Sequence, residues 1–230
     1  MIGIIGAMNI EVEDLKKIIT NRKTKTISNI EFNYGKIFDK DVVVACCGVG
    51  KVFAAICTEA MILQFKPDVI INTGVAGGLK KDMKIADIAI SKSVVQHDMD
   101  TSPLGDPVGL ISGINIINIP SNEKYTSLMR ECVRECGLNH FYGTIVSGDQ
   151  FIEKKEKKDE LIKNFDAIAC EMEGASVGHV CYVNNTPFCI LRSISDGLDD
   201  SGIDFIEFCN IASKNSIKVT EKFIEKFNTI

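Results

Sequence analysis

Three carboxylates stand in short clusters of small and apolar residues, where an acid and a base could act together. Glu11 lies in the segment GAMNIE, Glu173 in CEMEG and Asp196 in SISD. A pocket that gathers such groups beside apolar residues can keep one carboxyl group protonated and another ionised, as general acid–base catalysis requires. Each residue also has a structural interpretation, because acids are favoured in the first turn of a helix, at caps and in turns. Position alone leaves both interpretations open.

The acidic clusters, and two further polar clusters, follow short apolar runs that are typical of strands. TGVAGG comes directly after Asn72, and SGDQFI begins just after Val146. In an open α/β sheet, ligands bind at the carboxyl ends of the strands. We therefore expect these five clusters to meet at one pocket.

Motifs for several other kinds of chemistry are absent from the sequence. The GVG segment at 48–50 is followed by Phe53, where a dinucleotide-binding loop needs a third small residue, and Lys51 lacks the following Ser or Thr of a P-loop. No GxSxG or HExxH segment occurs, and the three histidines stand in unrelated contexts. Cys132 and Cys136 share a helical face but have no histidine at ligand spacing. We expect neither a metal nor a nucleotide cofactor.

The composition is that of an ordinary globular protein. Of 230 residues, 45% are hydrophobic and 25% are charged, which predicts a full core in a single domain, 1–230. The formal net charge of −5 has the wrong sign for binding nucleic acid. No apolar stretch approaches the roughly 18 residues of a membrane span, and no basic region of a signal peptide is present. The nine cysteines stand mostly in apolar runs, as reduced thiols do. We expect a cytoplasmic protein without nucleic-acid or membrane partners.

Short β-branched runs alternate with longer amphipathic segments along the chain, which predicts an α/β fold with one mostly parallel or mixed sheet. The predicted strands are 2–5, 30–37, 42–47, 69–72, 85–95, 142–146, 167–170 and 188–194. The first predicted helix starts at about Asn9, which is predicted to be its N-cap. The other predicted helices cover 51–65, 121–136, 153–165 and 174–183, and a last helix runs from Asp204 onward. The first helix is predicted to end before the polar segment NRKTKT, and the lysine-rich helix 153–165 is predicted to be exposed to solvent.

Two segments are candidates for contacts with other molecules. The segment 99–120 is rich in Gly and Pro and too long for a plain turn, which predicts a mobile wall or a contact surface. The helix 51–65 carries an apolar face that could be dimer surface or core, and we interpret it as core. The residues of this face are Ala54, Ala55, Met61 and Leu63.

Taken together, the five clusters resemble the 5′-methylthioadenosine/S-adenosylhomocysteine nucleosidase family, within the nucleoside phosphorylase superfamily. The resemblance runs through GIIGAMNIEVE, INTGVAGGL, HDMD, VSGDQFI, CEMEGASVGHV and LRSISD, and so spans nearly the whole chain. One such segment could arise by chance, whereas all of them in this order hardly could. The resemblance implies an α/β three-layer sandwich with a central mixed β-sheet flanked by helices, a homodimer and no cofactor.

The resemblance also implies hydrolysis of the N-glycosidic bond of 5′-methylthioadenosine, S-adenosylhomocysteine and 5′-deoxyadenosine, through an oxocarbenium-like transition state. By position, Glu11 would activate the attacking water, Asp196 would protonate adenine at N7, and Glu173 would hold the ribose 2′-hydroxyl. Phe151 would stack on adenine, while backbone groups of Phe151 and Ile152 would read its edge. The residues that would line the rest of the site are Met8, Val49, Val75, Gly77, Met172, Ser195 and Phe205.

The implied roles require two carboxyl groups in opposite states. Burial and the neighbouring Glu charges would keep Asp196 protonated near neutral pH, whereas Glu11 must stay ionised to accept a proton from water. Val75 stands where the family often has Ser, which removes one hydroxyl from the wall of the site. The partner subunit would complete the alkylthio pocket, and the candidates for that wall are Leu104 and Pro107.

The main alternative is a phosphate-dependent purine nucleoside phosphorylase, which would need cations around the phosphate. The chain has only four arginines, and none of them lies in the GAMNIE segment. The carboxylate of Glu11 in that segment would repel phosphate. Hydrolases of adenosine monophosphate or of futalosine remain open, although a 5′-phosphate would again need basic residues. A nucleoside-binding sensor without turnover would need neither Glu11 nor Asp196. The sequence therefore favours a nucleosidase.

Overall fold

A computed structural model describes residues 1–197 and 205–227, with side chains from residue 208 onward in the second range. The strands are β1 (Ile2–Gly6), β2 (Thr20–Ile27), β3 (Ile30–Ile37), β4 (Lys40–Cys46), β5 (Val69–Gly78), β6 (Ile88–Gln96), β7 (Ile119–Pro120), β8 (His140–Ser147), β9 (Ala167–Glu171) and β10 (Phe188–Asp196). The helices are α1 (Asn9–Lys17), α2 (Lys51–Phe65), α3 (Glu123–Glu135), α4 (Lys155–Phe165), α5 (Gly174–Val183) and α6 (Phe205–Lys226).

All ten strands belong to one mixed sheet in the order β10-β6-β8-β9-β5-β1-β4-β3-β2, with β7 paired to β6. β10 also pairs in parallel with β5, so β5, β10, β6, β8 and β9 form a closed ring. β1 pairs in parallel with both β4 and β5, whereas β3 and β2 extend the sheet as antiparallel hairpins. The predicted central mixed sheet is confirmed.

Helices cover both faces of the sheet because successive strand residues point to opposite sides. Ile5 packs into one cluster with buried residues of α2 and α5, including Ala54 and Val177. Ile4 packs into a second cluster with buried residues of α1, α3 and α6, including Leu15 and Phe223. The result is the three-layer arrangement that the resemblance implied.

The polar segment NRKTKT, for which no strand was predicted, belongs to the edge strand β2. It is almost fully exposed and pairs antiparallel with β3. The hairpin turns at Ser28 and Asn29, whose φ values of 51° and 61° are those of a tight two-residue hairpin turn. The hydrophobic pattern did not predict this strand because the strand has no buried face. Its pairing with β3 is set by the hairpin turn.

Two central strands are longer than predicted. β5 continues through the TGVAGG cluster to Gly78, and β10 continues through SISD to Asp196, because the two strands pair with each other along this length. The α1 helix is capped by Met8 rather than by the predicted Asn9. The face of α2 is only partly core, since Ala54 and Met61 are buried whereas Leu63 is 66% exposed.

The segment 99–120 contains a short 3₁₀ helix, Ser102–Leu104, before β7. Leu104 is 84% exposed, and Pro107 is also exposed. In the described part of the chain, no helix combines the length and apolar character needed to cross a membrane.

Candidate active site

All five sequence clusters border one cavity of about 200 Å³. The GAMNIE cluster follows β1, TGVAGG forms the end of β5, SGDQFI follows β8, CEMEG spans the end of β9, and SISD ends β10. The predicted site residues that line the cavity are Met8, Glu11, Val49, Val75, Gly77, Phe151, Ile152, Met172, Glu173, Ser195 and Asp196. Phe205 is the first residue of α6, and its side chain lies outside the described residues.

Glu11 is buried in the first turn of α1, where backbone N–H groups hold its carboxylate. Its Oε2 accepts hydrogen bonds from the N–H groups of Ala7 and Met8 at 2.7 and 2.9 Å, and its Oε1 accepts one from Val75 at 3.1 Å. Burial raises the pKa of Glu11, while the Arg192 charge and these N–H groups act in the opposite direction. A carboxylate that is held in place by N–H groups and whose pKa is raised above its ordinary value is a stronger base than a free one, which suits a group that accepts a proton from water.

Asp196 faces the same cavity from the end of β10. Its Oδ1 accepts a hydrogen bond from the Ser195 hydroxyl at 2.9 Å. On the other side, a Cβ added to Gly77 would lie 2.9 Å from Oδ2, so the close approach of the carboxyl group requires glycine there. The position of the carboxyl group is thus set by its neighbour in the chain and by the backbone of β5.

A buried lysine also approaches Asp196, which the sequence did not predict. Lys158 of α4 is 0% exposed, and its ammonium lies 3.7 Å from Asp196 Oδ2. The prediction that the lysine-rich helix is exposed is therefore wrong for this residue, although Lys163 on the same helix is exposed. A cation at this distance favours the ionised carboxylate. It opposes the burial and the neighbouring glutamates that were expected to keep Asp196 protonated.

Glu173 is the third carboxylate of the cavity, and it accepts a hydrogen bond from the backbone N–H of Gly50 at 2.8 Å. Burial, followed by the charge of Glu171, raises the pKa of Glu173 to about 7, while Arg192 acts in the opposite direction. The guanidinium of Arg192 lies 3.9 Å from the Glu173 carboxylate. Glu173 is therefore poised between its two ionisation states near neutral pH.

Glu171 and Arg192 form a buried ion pair beneath these carboxylates. Glu171 also accepts hydrogen bonds from the Ser147 hydroxyl and from the backbone N–H of Gly174 at 2.8 Å. Arg192 donates to the side-chain and backbone oxygens of Asn72 at 2.5 and 3.0 Å. The pair ties β5, β8, β9 and β10 together behind the cavity.

Sequence reasoning did not assign a role to Glu171, Arg192 or Lys158. A signal for Arg192 was present, because a single charge inside the apolar run FCILRSIS must be paired when the strand is buried. Glu171 had a similar signal as the first acid of CEMEG at the end of an apolar strand. Lys158 had none, since its neighbours in sequence are the charged residues of an exposed helix.

The remaining walls of the cavity are apolar. Met8, Val75 and Met172 lie among the carboxylates, and Phe151 and Val49 stand at the rim with 56% and 49% of their surfaces exposed. An exposed aromatic ring beside a narrow apolar cleft can cover a flat heterocycle, since stacking suits its geometry. Within residues 1–197 and the described part of α6, no three His, Cys, Asp or Glu side chains are grouped so that they could hold a metal ion.

Comparison with known proteins finds one family and a consistent set of structures. Residues 1–225 match the family described as the phosphorylase superfamily. The fold is similar to a 5′-methylthioadenosine/S-adenosylhomocysteine nucleosidase from Neisseria meningitidis in complex with methylthio-immucillin-A. The two are 33% identical with a TM-score of 0.93, covering 98% of this chain and 99% of the other.

Two structures from Helicobacter pylori are similar to the same degree. One is a mutant nucleosidase with 5′-methylthioadenosine in its active site, at 36% identity and a TM-score of 0.93, covering 98% of each chain. The other is described as futalosine hydrolase, also at 36% identity and a TM-score of 0.93, covering 98% of this chain and 97% of the other.

Proposed function

Because this chain belongs to the phosphorylase superfamily, and within it to the 5′-methylthioadenosine/S-adenosylhomocysteine nucleosidases, we propose that it hydrolyses the N-glycosidic bond of these two nucleosides. The products are adenine and the 5-thio-substituted ribose. The observation that carries the proposal is the meeting of three buried carboxylates, Glu11, Glu173 and Asp196, in one cavity whose other walls are largely apolar.

In the proposed reaction, the bond between ribose C1′ and adenine N9 breaks and its electron pair leaves with the base. Asp196 donates a proton to N7 of the departing adenine. Water adds to the oxocarbenium-like C1′ and gives its proton to Glu11, while Glu173 accepts a hydrogen bond from the ribose 2′-hydroxyl. Carboxylates near the ribose stabilise the positive charge that develops on the sugar, and an acid at N7 neutralises the charge on the base.

The apolar residues would bind the parts of the substrate that do not react. Phe151 would stack on adenine, with backbone groups of Phe151 and Ile152 at the edge of the base. Supporting this assignment, both residues line the cavity on the segment that follows β8. The other residues assigned to the nucleoside are Met8, Val49, Val75, Gly77, Met172, Ser195 and Phe205.

Phosphorolysis is not favoured by the charges around the cavity. Among the described residues, Arg192 and Lys158 are the cations that approach the carboxylates, and both are buried and bonded to protein oxygens. A phosphate near C1′ would be repelled by the negative charge of the Glu11 carboxylate. A water molecule at the same place could instead give its proton to that carboxylate.

The test is adenine release from 5′-methylthioadenosine by the purified protein, in buffer free of phosphate and again with phosphate added. We expect equal release in both buffers, with free 5-methylthioribose as the second product. A requirement for phosphate, with a ribose 1-phosphate as product, would contradict the proposal. Futalosine is included as a second substrate, because one similar structure is described as futalosine hydrolase. If futalosine were hydrolysed faster than 5′-methylthioadenosine, futalosine would be the preferred substrate and the proposed substrate would be wrong.

We also propose that the protein is a homodimer, in which α2 meets its counterpart and the partner completes the alkylthio pocket together with Leu104 and Pro107. One face of α2 supports this, because Val52, Phe53 and Ile56 are 69%, 54% and 40% exposed and follow Val49 at the rim of the cavity. Apolar stripes of this kind mark protein–protein contacts.

The dimer is tested by light scattering after gel filtration. The wild type is expected at twice the chain mass of 25.3 kDa, and Phe53→Glu at the chain mass with a raised KM for alkylthio substrates. Ile211→Glu changes an equally exposed apolar residue on α6 and should remain dimeric. A wild type that elutes at the mass of one chain would contradict the proposal.

A cytoplasmic location and a single domain over residues 1–230 complete the proposal. Each of the nine cysteines carries a free thiol, and most are buried. Free thiols are typical of the reducing cytoplasm.

A further inference from the structure

Lys158 is the one lysine of the described residues that is completely buried, and its surroundings explain why a charge is kept there. Its Nζ donates a hydrogen bond to the carbonyl oxygen of Gly197 at 2.7 Å and lies 3.7 Å from Asp196 Oδ2. Burying an ammonium group is unfavourable unless it is paired with a carboxylate and hydrogen-bonded. These two partners of Lys158 are the last residue of β10 and the residue that follows it, where the proposed acid stands.

The contacts of Lys158 complete a set that fixes the Asp196 carboxyl group from several sides. Ser195 donates to Oδ1 at 2.9 Å, Lys158 faces Oδ2, and the absent side chain of Gly77 leaves room for that oxygen. The lysine also holds the carbonyl group of Gly197, the residue that follows the acid. Movement of Asp196 Oδ2 away from Lys158 would therefore weaken the attraction between the carboxyl group and the ammonium.

We propose that Lys158 is a positioning residue for the reaction, acting through Asp196. It orients the carboxyl group toward the base and stabilises the carboxylate that remains once the Asp196 proton has moved to adenine N7. No atom of Lys158 is transferred. After adenine leaves, Glu11 releases to the solvent the proton that it took from water, and Asp196 takes up a proton from the solvent, so both groups return to their starting states. This inference rests on the proposed nucleosidase function, because it assigns the lysine to the acid of that reaction.

The other titratable groups around Asp196 allow the effect of Lys158 to be isolated. Among the described residues that border the cavity with Asp196, α1 contributes Glu11, β9 contributes Cys170 and Glu171, Glu173 stands just before α5, and the facing part of β5 contributes the backbone of Gly77. Burial raises the pKa of Cys170 to about 12, so this thiol stays neutral during an assay. Glu171 is paired with Arg192. Among the described residues, Lys158 is a cation that lies 3.7 Å from Asp196, so its removal should change the protonation of Asp196.

The test measures kcat/KM for adenine release against pH in Lys158→Met, Lys158→Arg and Lys163→Met. Without the ammonium, the Asp196 proton is lost only at higher pH, so the alkaline limb of the profile should move upward by about one to three pH units. We expect kcat at the wild-type optimum to fall about 10- to 100-fold, with a smaller change in KM. Lys158→Arg keeps a cation at this position, so its alkaline limb should lie within half a pH unit of that of the wild type. Lys163→Met removes an exposed lysine from the same helix and should match the wild type.

The possible outcomes separate this inference from the proposed function. A wild type that releases no adenine would overturn both. A wild type that is active, with an alkaline limb that Lys158→Met does not move, would overturn the inference alone, even if kcat and thermal stability fall. If Lys158→Met does not fold, Lys158→Arg carries the test, and a limb displaced by a full unit in that variant would overturn the inference.

Discussion

Replacing Glu11 by glutamine tests the proposed base while keeping the shape of the side chain. The substitution removes the negative charge that would accept the proton of the attacking water. It also changes one of the two oxygens that accept backbone hydrogen bonds into a donor. The variant is therefore expected to lose activity for a chemical reason and stability for a separate one.

The loss of stability follows from the contacts of the carboxylate. Ala7 and Met8 donate to Oε2, and Val75 donates to Oε1. The amide of glutamine offers one oxygen, so at least one buried N–H faces an NH₂ group, at a cost of about 1–3 kcal/mol. Removal of a buried charge offsets part of this cost, because burial is the main cause of the raised pKa of Glu11. We expect a decrease near the lower end of the range, or roughly 2–4 °C in Tm for a chain of this length.

The loss of activity should be much larger than that decrease suggests. A positioned general base contributes about 10²- to 10⁴-fold to a rate, so kcat for adenine release should fall by that factor. The assay follows adenine release at 25 °C, far below the transition measured by thermal unfolding. Glu13→Gln changes an exposed acid of the same helix and should leave both kcat and Tm unchanged. A Glu11→Gln variant that keeps more than a tenth of the wild-type kcat would refute the assignment of the base.

Three further predictions concern the groups around the base. In Gly77→Ala the new Cβ would lie 2.9 Å from Asp196 Oδ2, and a carboxyl group displaced by about 1 Å should lower kcat about 10²-fold in steady-state kinetics, with little change in Tm. Arg192→Met leaves Glu171 buried without its cation, so denaturant unfolding should show a loss of about 3–5 kcal/mol. Glu173 has its pKa raised from 4.5 to about 7 in the folded state, so its contribution to stability is present below about pH 4.5 and lost as the pH rises to about 7. The free energy of unfolding of Glu173→Gln should lack this decrease of about 3 kcal/mol between pH 4.5 and 7. If the free energies of unfolding of variant and wild type changed equally with pH over this range, the raised pKa of Glu173 would be contradicted.

Most of the fold could be predicted from the sequence, because it depends on patterns within short segments. The apolar runs at β1, β4 and β5, for example, predicted buried strands, and the apolar stripe of α1 at Val12 and Leu15 predicted a packed helix. The β2 strand could not be predicted in the same way, since its residues are exposed and its pairing comes from the turn at Ser28 and Asn29.

The residues of the candidate site were also largely predictable. Glu11, Glu173 and Asp196 stand in clusters after apolar runs, and such clusters meet where the strands end. The recognition of the family from those clusters was confirmed by the match over residues 1–225. The sequence could not show how each carboxylate is held, because the partners of Glu11 and Glu173 include backbone groups as distant in sequence as Val75 and Gly50.

The sequence by itself thus determined the order of the helices and of the strands other than β2 and β7, and three of the acids that the cavity contains. Only the tertiary structure decided which charges oppose those acids. Arg192 reaches Glu171 and Lys158 reaches Asp196 across gaps of 21 and 38 positions in the chain, which no local pattern records. The ionisation of a buried carboxyl group depends on the charges within a few ångströms of it, and those distances are set by packing.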